Sequence, residues 1–517
     1  MNTLNRRQFL TYVGASAAAI AGSALPARTR TRGGGRKPNV ILFMTDDQGW
    51  GDVGFNGNKD IITPHLDDLC ARGARLYHFF SGCPVCSPTR GTVVTGRHYF
   101  RYGIWSANTG RLPREEYSVA RGLKDVGYTC GHFGKWHLGS PHPDYRGKGG
   151  GGDPKRLARP EWFGYDKHFV THHAVKTWDP YGPDGSGITT SDNPYWEDGR
   201  RVTDRLTGDD TRIIMDKVIP FVEKAARQDK PFLAVVWTHA PHGPLAAGPA
   251  YQKIYEKKGL DRKKITYYSV ITALDEQVGR LDKKLKELEL WDSTMFWYCS
   301  DNGPAHHVRD GGYGSTDGMR GKKAHLFNGG VCVPAFVVWP GKVPAGTTVK
   351  TPLSTLDYLP TVFAATGAAM PDNRPLDGEN VWDIVTGKRS ERTRAIPFRF
   401  ADNNAPGLSL LKGQYRYYTN FDTDDPRGDM LYNFFADRGE EKNLINDMPE
   451  LAAEMRREAM EFLTSCRKSY EGRDYPPGST YEPLGPWHKM KNRIWSGPDA
   501  AKERRKRGKR TRPSRNG

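Results

Sequence analysis

Asn39-Val40-Ile41-Leu42-Phe43-Met44, followed at once by Thr45-Asp46-Asp47-Gln48-Gly49, is the stretch that decides the fold class. A short apolar run without polar alternation has the pattern of a strand buried on both faces. Two adjacent carboxylates then follow. On their own they suit a helix N-cap with an acidic first turn. In open α/β sheets, however, ligands bind beyond the carboxyl ends of the strands, so polar residues in that position are candidates for a site.

Similar runs recur along the chain. Residues 231–237, 294–299 and 333–339 read as further strands, the last closed by Pro340-Gly341, and residues 66–73, 119–126 and 264–290 carry helical patterns. This alternation predicts an α/β protein with a large mixed, mostly parallel sheet flanked by helices. The texture changes near Pro375. Strand-like residues 394–400, 408–420 and 430–435, then a helix over 450–464, predict a smaller C-terminal α+β subdomain with an antiparallel sheet. Residues 140–200, rich in Gly, Pro, Asp, His and Trp, read as an irregular insertion. The expected division is an export signal over 1–27, a catalytic domain over 38–375, the C-terminal subdomain over 376–470 and an extended basic tail over 471–517.

At 517 residues and 37% hydrophobic content, the chain has the size and composition of a globular enzyme. Its net charge of +18 is concentrated at the ends: residues 1–37 hold seven Lys/Arg and no acid, and residues 501–517 hold nine against one Glu. Only +3 remains for the body between them. That distribution argues against a nucleic-acid-binding fold, and the tail reads as a solvated segment rather than a polyanion-binding element. Asn5-Arg6-Arg7-Gln8-Phe9-Leu10, the Ala-rich stretch after it and the small residues before Arg28 form the pattern of a twin-arginine export signal. The stretch is too short for a membrane span. An exported, periplasmic or extracellular bacterial protein without a transmembrane span is expected. Seven widely spaced cysteines do not form a disulfide framework or a zinc-ligand pattern.

Chemistry-bearing residues gather in five further clusters. Ser300-Asp301-Asn302-Gly303 follows the 294–299 strand, and its carboxylate and amide join Asp46 and Asp47 as hard oxygen donors of the kind Ca²⁺ or Mg²⁺ takes. Gly134-Lys135-Trp136-His137, Ala240-Pro241-His242 and Met319-Arg320-Gly321-Lys322-Lys323 supply cations and imidazoles. These suit neutralising a tetrahedral oxyanion and protonating a leaving alcohol. Cys86-Ser87-Pro88-Thr89-Arg90-Gly91, with Thr95-Gly96-Arg97 shortly after, completes the set.

The pattern Cys-x-Pro-x-Arg with Thr-Gly-Arg a few residues on, and the order of the other clusters over residues 38–446, resemble the type I sulfatases of the alkaline phosphatase-like superfamily. The resemblance implies that a maturation enzyme oxidises Cys86 to formylglycine. It implies that Asp46, Asp47, Asp301, Asn302 and the modified Cys86 hold Ca²⁺, in preference to Mg²⁺. Arg90 would anchor the modified residue, and Lys135 and Lys323 would hold the sulfate oxygens, with Lys322 a competitor of Lys323. His137 would assist sulfate release and His242 departure of the alcohol. The implied mechanism is attack on sulfur by one hydroxyl of a hydrated aldehyde, with the second hydroxyl collapsing to expel sulfate.

Two departures stand out. Thr89 replaces the commoner Ser, and Phe327-Asn328-Gly329-Gly330-Val331-Cys332 stands where the family often has Tyr-Glu-Gly-Gly-x-Arg. His239 reads as a buried, hydrogen-bonded histidine, and His172, His173 and Trp178 read as packing residues of the insertion more than as a sugar subsite. The expected substrate is a sulfate ester, a sulfated glycan before an aryl sulfate. A phosphomonoester or phosphonate hydrolase of the same superfamily and an exported polyanion-binding protein are the alternatives.

Overall fold

In the computed structural model, β1 (Asn39–Thr45) lies near the middle of a ten-stranded sheet. Residues 37–181, 192–306, 312–400, 407–420, 428–485 and 487 are described; the expected export signal and tail residues 488–517 lie outside them. In chain order the further strands are β2 (Ala74–Leu76), β3 (Phe79–Phe80), β4 (Thr129–Lys135), β5 (Lys167–Thr171), β6 (Trp196–Glu197), β7 (Arg200–Arg201), β8 (Phe232–Trp237), β9 (Thr294–Ser300), β10 (Cys332–Val333), β11 (Ala335–Val338), β12 (Thr347–Val349) and β13 (Leu353–Ser354). The sheet order is β12-β2-β11-β9-β1-β8-β4-β5-β6-β7. The block β9-β1-β8-β4-β5 is parallel, and β11, β6 and β7 add antiparallel edges.

The unbroken apolar runs follow from burial on both faces. Val40, Leu42 and Met44 of β1 point into one core together with Leu233, Val235 and Trp237 of β8, whereas Ile41 and Phe43 enter a second core with Ala234, Val236, Phe296 and Tyr298. Successive side chains alternate across the sheet, so a strand covered on both sides has no position for a polar residue. The second core is closed by α1 (Pro64–Ala71), α4 (Asp210–Arg227) and α6 (Arg262–Glu287), and the first by α2 (Cys86–Thr95), α3 (Val119–Asp125) and α8 (Tyr358–Thr366). The remaining helices are α5 (Pro249–Glu256), α7 (Asn328–Val331), α9 (Trp382–Val385) and α10 (Pro449–Tyr470). Among the described residues, no helix is long and apolar enough to cross a membrane.

A separate antiparallel sheet, β14 (Ile396–Arg399), β15 (Leu408–Lys412), β16 (Tyr415–Thr419) and β17 (Met430–Asn433), forms the C-terminal part. Its Ile396, Phe398, Leu408, Leu410 and Tyr417 join the same core that α2 and α8 cover.

Three expectations need correction. The 140–200 insertion contains β5, which extends the main sheet in parallel register with β4, and the short ribbon β6–β7. Lys167-His168-Phe169-Val170-Thr171 is brief and bears two ionisable residues, which hid it in a polar segment. The 408–420 stretch is a hairpin that turns at Gly413, whose φ of 57° favours glycine. The 333–339 run is interrupted at Pro334, leaving β10 and β11 in different sheets.

Gly134 sits in β4 with φ of 100°, and an added Cβ would lie 1.9 Å from the Trp237 carbonyl oxygen of β8. Gly134→Ala is therefore expected to cost at least about 2 kcal/mol, read as a lower denaturant midpoint. An unchanged midpoint would contradict the close strand approach.

Candidate active site

The parallel strands β1, β8, β4 and β9 all end at one edge of the sheet, and each delivers polar residues there. Asp46 and Asp47 follow β1, Lys135 is the last residue of β4, Asp301 and Asn302 follow β9, and His239 and His242 follow β8. Opposite them, Cys86 is the first residue of α2, so it stands where unpaired backbone N–H groups favour an anion. Every residue of α2 is buried, and Gly96 ends the helix with φ of 65°. Arg97 is fully buried; its Nη2 donates to Asp474 at 2.8 Å, and its Nε lies 3.5 Å from Glu116. The Thr-Gly-Arg half of the motif thus ends and anchors the helix that carries Cys86.

Cations and carboxylates are interleaved around the thiol. Lys135 Nζ donates to Asp46 Oδ2 at 2.7 Å, and Lys323 Nζ donates to Asp47 Oδ2 at 2.8 Å. Arg90, with no exposed side-chain surface, donates from Nη2 to Asp301 Oδ2 at 2.6 Å and lies 3.6 Å from Asp46 Oδ2. Its Nη1 reaches the Lys135 carbonyl at 3.3 Å, and its plane lies 5.1 Å over Trp237. The Asp47 backbone N–H donates to Asp301 Oδ1 at 3.1 Å, and Asn302 Nδ2 donates to Asp47 Oδ1 at 2.7 Å. Asp47 adopts φ of 62° and His137 φ of 55°, left-handed conformations held by the surrounding bonds.

Burial by itself raises each carboxylate. For Asp46 that effect is outweighed by Lys135, His242, Arg90 and Lys323, which hold it well below the usual carboxylate range. Asp47 is lowered likewise, chiefly by Lys323 and His242. Asp301, crowded by the Asp46 charge, is pushed up to about 7 despite Arg90. Burial also pushes the Cys86 thiol up and, helped by Lys135, holds His137 neutral well below the ordinary histidine value. His242, 3.6 Å from Asp47 Oδ2 and the most exposed of the set, is lowered by burial and by Lys323 and Lys135.

The donor set suits a divalent cation. Asp46 Oδ1 and Asn302 Oδ1 are buried without a hydrogen-bond partner, unusual for such strong acceptors. Three buried carboxylates crowd one place, a repulsion that a dication among them relieves. Ligand atoms of Asp46, Asp47, Cys86 and His242 all lie within 4.8 Å of one another.

All the residues singled out from sequence, Asp46, Asp47, Cys86, Arg90, Lys135, His137, His242, Asp301, Asn302 and Lys323, belong to this strand-end region. It is Lys323, competing with Lys322 in the sequence reading, whose ammonium lies on Asp47. His239 is buried, with Nδ1 2.7 Å from Asp210 Oδ2 and Nε2 2.7 Å from Thr171 Oγ1. His172 packs inside the insertion, its Nδ1 3.1 Å from the Gly139 carbonyl.

Two supports escaped the sequence reading. Asn108 Oδ1 lies 3.0 Å from His137 Nε2, and its backbone N–H donates to Ser87 Oγ at 3.4 Å, so it links the histidine to α2. The turn signal Asn108-Thr109-Gly110 was visible, but nothing local gave its partner. The altered 327–332 segment is held from the C-terminal part: Arg416 of β16 donates to Asn328 Oδ1 and to the Leu326 carbonyl, both at 2.5 Å, and the Asn328 N–H donates to Glu440 Oε2, beyond β17, at 2.8 Å. The glycine turn is intact, with the Gly303 N–H donating to the Gly330 carbonyl at 2.9 Å.

Comparison with known proteins agrees with this geometry. Rat arylsulfatase G is 29% identical over 408 residues, covering 70% of this chain and 71% of the relative. The ulvan-active sulfatase of Formosa agariphila is 27% identical over 464 residues, covering 85% and 83%. The solved structure of Ps i-CgsB in complex with k-i-k-neocarrahexaose superposes with a TM-score of 0.73 at 26% identity, covering 84% of this chain and 94% of that one. A family model described as Sulfatase matches residues 38–368, a span that begins just before β1 and takes in every cluster named above. A match over more than half of the chain makes this protein a member of the sulfatase family, a sulfuric ester hydrolase.

Proposed function

We propose that this sulfatase removes sulfate from a sulfated carbohydrate outside the cytoplasm, with Cys86 converted to formylglycine as nucleophile and a calcium ion as cofactor. The observation that carries the reading is the ring of Arg90, Lys135 and Lys323 interleaved with Asp46, Asp47 and Asp301 around Cys86 at the head of α2. Asp46, Asp47, Asp301 and Asn302, with the modified Cys86, would hold the calcium. When bound, the ion supplies Lewis acidity toward a sulfate oxygen and toward the nucleophilic hydroxyl. Formylglycine, once formed, supplies a hydrated aldehyde with two hydroxyls where cysteine has one thiol.

The chain's own residues carry the rest. Lys135 and Lys323, whose ammonium groups lie on Asp46 and Asp47, would hold the sulfate oxygens, and Arg90 fixes Asp301 and the end of β4. His242, half-buried at the mouth of the site, would donate a proton to the departing alcohol. His137, buried and neutral with its ring held by Asn108, would accept one from the residue at position 86.

A glycan substrate is supported by the relatives: one acts on ulvan, and another was solved with a neocarrahexaose. The export signal at 1–27 and the maturation and twin-arginine machineries as partners belong to the same reading, as do a catalytic domain over 38–375, a C-terminal subdomain over 376–470 and a basic tail.

The test joins peptide mass to turnover. The segment containing Cys86 should show formylglycine in proportion to aryl sulfate activity, with aryl phosphate turned over far more slowly. Unmodified thiol in fully active protein would sink the mechanism, and faster phosphate turnover would reassign the reaction. Lys323→Ala is expected to lower kcat/KM for aryl sulfate by about 100-fold or more through loss of a charged oxyanion partner. A loss under threefold would remove Lys323 from the sulfate pocket.

A further inference from the structure

Residues 313–315 dock between the two carboxylate clusters and take no part in the chemistry of the sulfate group. The Ser315 N–H donates to Asp52 Oδ1 at 2.9 Å, and the Gly51 N–H donates to the Ser315 carbonyl at 2.9 Å, which ties the segment to the turn that follows Asp46 and Asp47. An added Cβ on Gly314 would lie 2.4 Å from Pro304 Cβ, so the same segment lies against the residues that follow Asp301 and Asn302. Tyr313 is thereby carried to the rim of the site. Burial, helped by the Asp47 charge, raises its phenol.

The ring of Tyr313 is fixed on one side and only half-buried overall. Its centroid lies 4.7 Å from that of Tyr267, which is buried and donates to Asp52 Oδ2 at 2.7 Å. The exposed ring of His306 stands 5.2 Å away, and the His306 carbonyl accepts from the Tyr313 and Gly314 N–H groups at 3.1 and 2.7 Å. Among the described residues, the Tyr313 hydroxyl has no hydrogen-bond partner. Leu245, three residues after His242, is partly buried against the same apolar cluster of Ile61, Tyr255, Tyr267, Tyr268 and Ile271 that Tyr313 packs on. The mouth therefore offers an aromatic face and an aliphatic one on the side where His242 lies 3.6 Å from Asp47 Oδ2. A pyranose carries hydroxyls around its edge and patches of C–H on its faces, and the electron-rich face of an aromatic ring attracts such C–H groups. A flat ring with a free hydroxyl at its edge matches both parts of a sugar.

We propose that Tyr313 is a specificity-determining residue, whose open face stacks on the C–H face of the sugar ring that carries the sulfate, with Leu245 alongside, so that the enzyme selects sulfate esters of pyranoses over acyclic alkyl sulfates. This rests on the proposed function, which supplies the sulfated carbohydrate, and adds the residue that recognises its ring. The contact involves no covalent step. It orients the sugar so that the departing oxygen lies toward His242.

The test uses matured full-length protein and its Tyr313→Leu and Tyr313→Phe variants. It compares kcat/KM for a panel of sulfated mono- and disaccharides of galactose, glucose and N-acetylgalactosamine with kcat/KM for ethyl sulfate. Leucine keeps apolar packing on Tyr267 but has no flat face, and phenylalanine restores the face. Both rates come from one sample, so their ratio does not depend on how much of a variant is folded. For the best saccharide the ratio is expected to fall about tenfold or more in Tyr313→Leu and to return to within about threefold of the parent in Tyr313→Phe. An unmoved ratio in Tyr313→Leu, or an equal fall in Tyr313→Phe, would overturn the proposal and leave the carbohydrate reading intact. Parent protein that hydrolyses ethyl sulfate or an aryl sulfate but none of the saccharides would defeat the carbohydrate reading, and the proposal with it.

Discussion

Cys86→Ala is expected to lower kcat for an aryl sulfate by about 10⁴-fold or more, because on the proposed mechanism it removes the covalent nucleophile of both chemical steps. Stability should hardly move. Cys86 is buried, but the change deletes one sulfur from the first turn of a helix whose other contacts remain. Lys135 and Lys323 would still face the sulfate position, so inorganic sulfate should still inhibit binding of substrate. The measurement pairs steady-state turnover with a thermal melt. Activity within tenfold of the parent would show that the residue at position 86 is not the nucleophile, whatever the neighbouring charges suggest.

Arg90→Leu is expected to act mainly on the fold. The guanidinium has no exposed surface, yet it meets Asp301 at 2.6 Å and Asp46 at 3.6 Å and binds the Lys135 carbonyl at 3.3 Å. Removing one partner of a buried ion pair leaves a charge uncompensated in a poorly polarisable interior, at a cost of about 3–5 kcal/mol. A denaturant series should show the midpoint falling with the slope unchanged. Arg90→Lys should recover part of the loss, since the charge returns but the planar fork does not. If Arg90→Leu lies within 1 kcal/mol of the parent, the three cations and three carboxylates do not form the interdependent set described.

Local patterns were enough for much of the architecture. The apolar runs at β1, β8 and β9 were legible because two-sided burial leaves no polar position along a strand. The amphipathic pattern of α6 was legible for the converse reason: one face meets the sheet and the other meets water. By contrast β5 was hidden, since five residues with Lys167 and His168 among them carry too little periodicity to be separated from a polar loop. The hairpin at Gly413 looks like one strand in sequence because alternation continues on both sides of a tight turn.

The site divides along the same line. Sequence by itself determined where the chemistry-bearing residue types cluster, since strand-end groups and the Cys-x-Pro-x-Arg pattern are local and keep their identity wherever the chain goes. Only the tertiary structure decided the pairings: Arg90 with Asp301, Lys323 with Asp47, Asn108 with His137, and Arg416 beneath the glycine turn. Each joins residues from 29 to 276 positions apart. Parallel strands place their ends side by side while separating them in sequence by whole crossovers, so no local pattern records which side chain will face which.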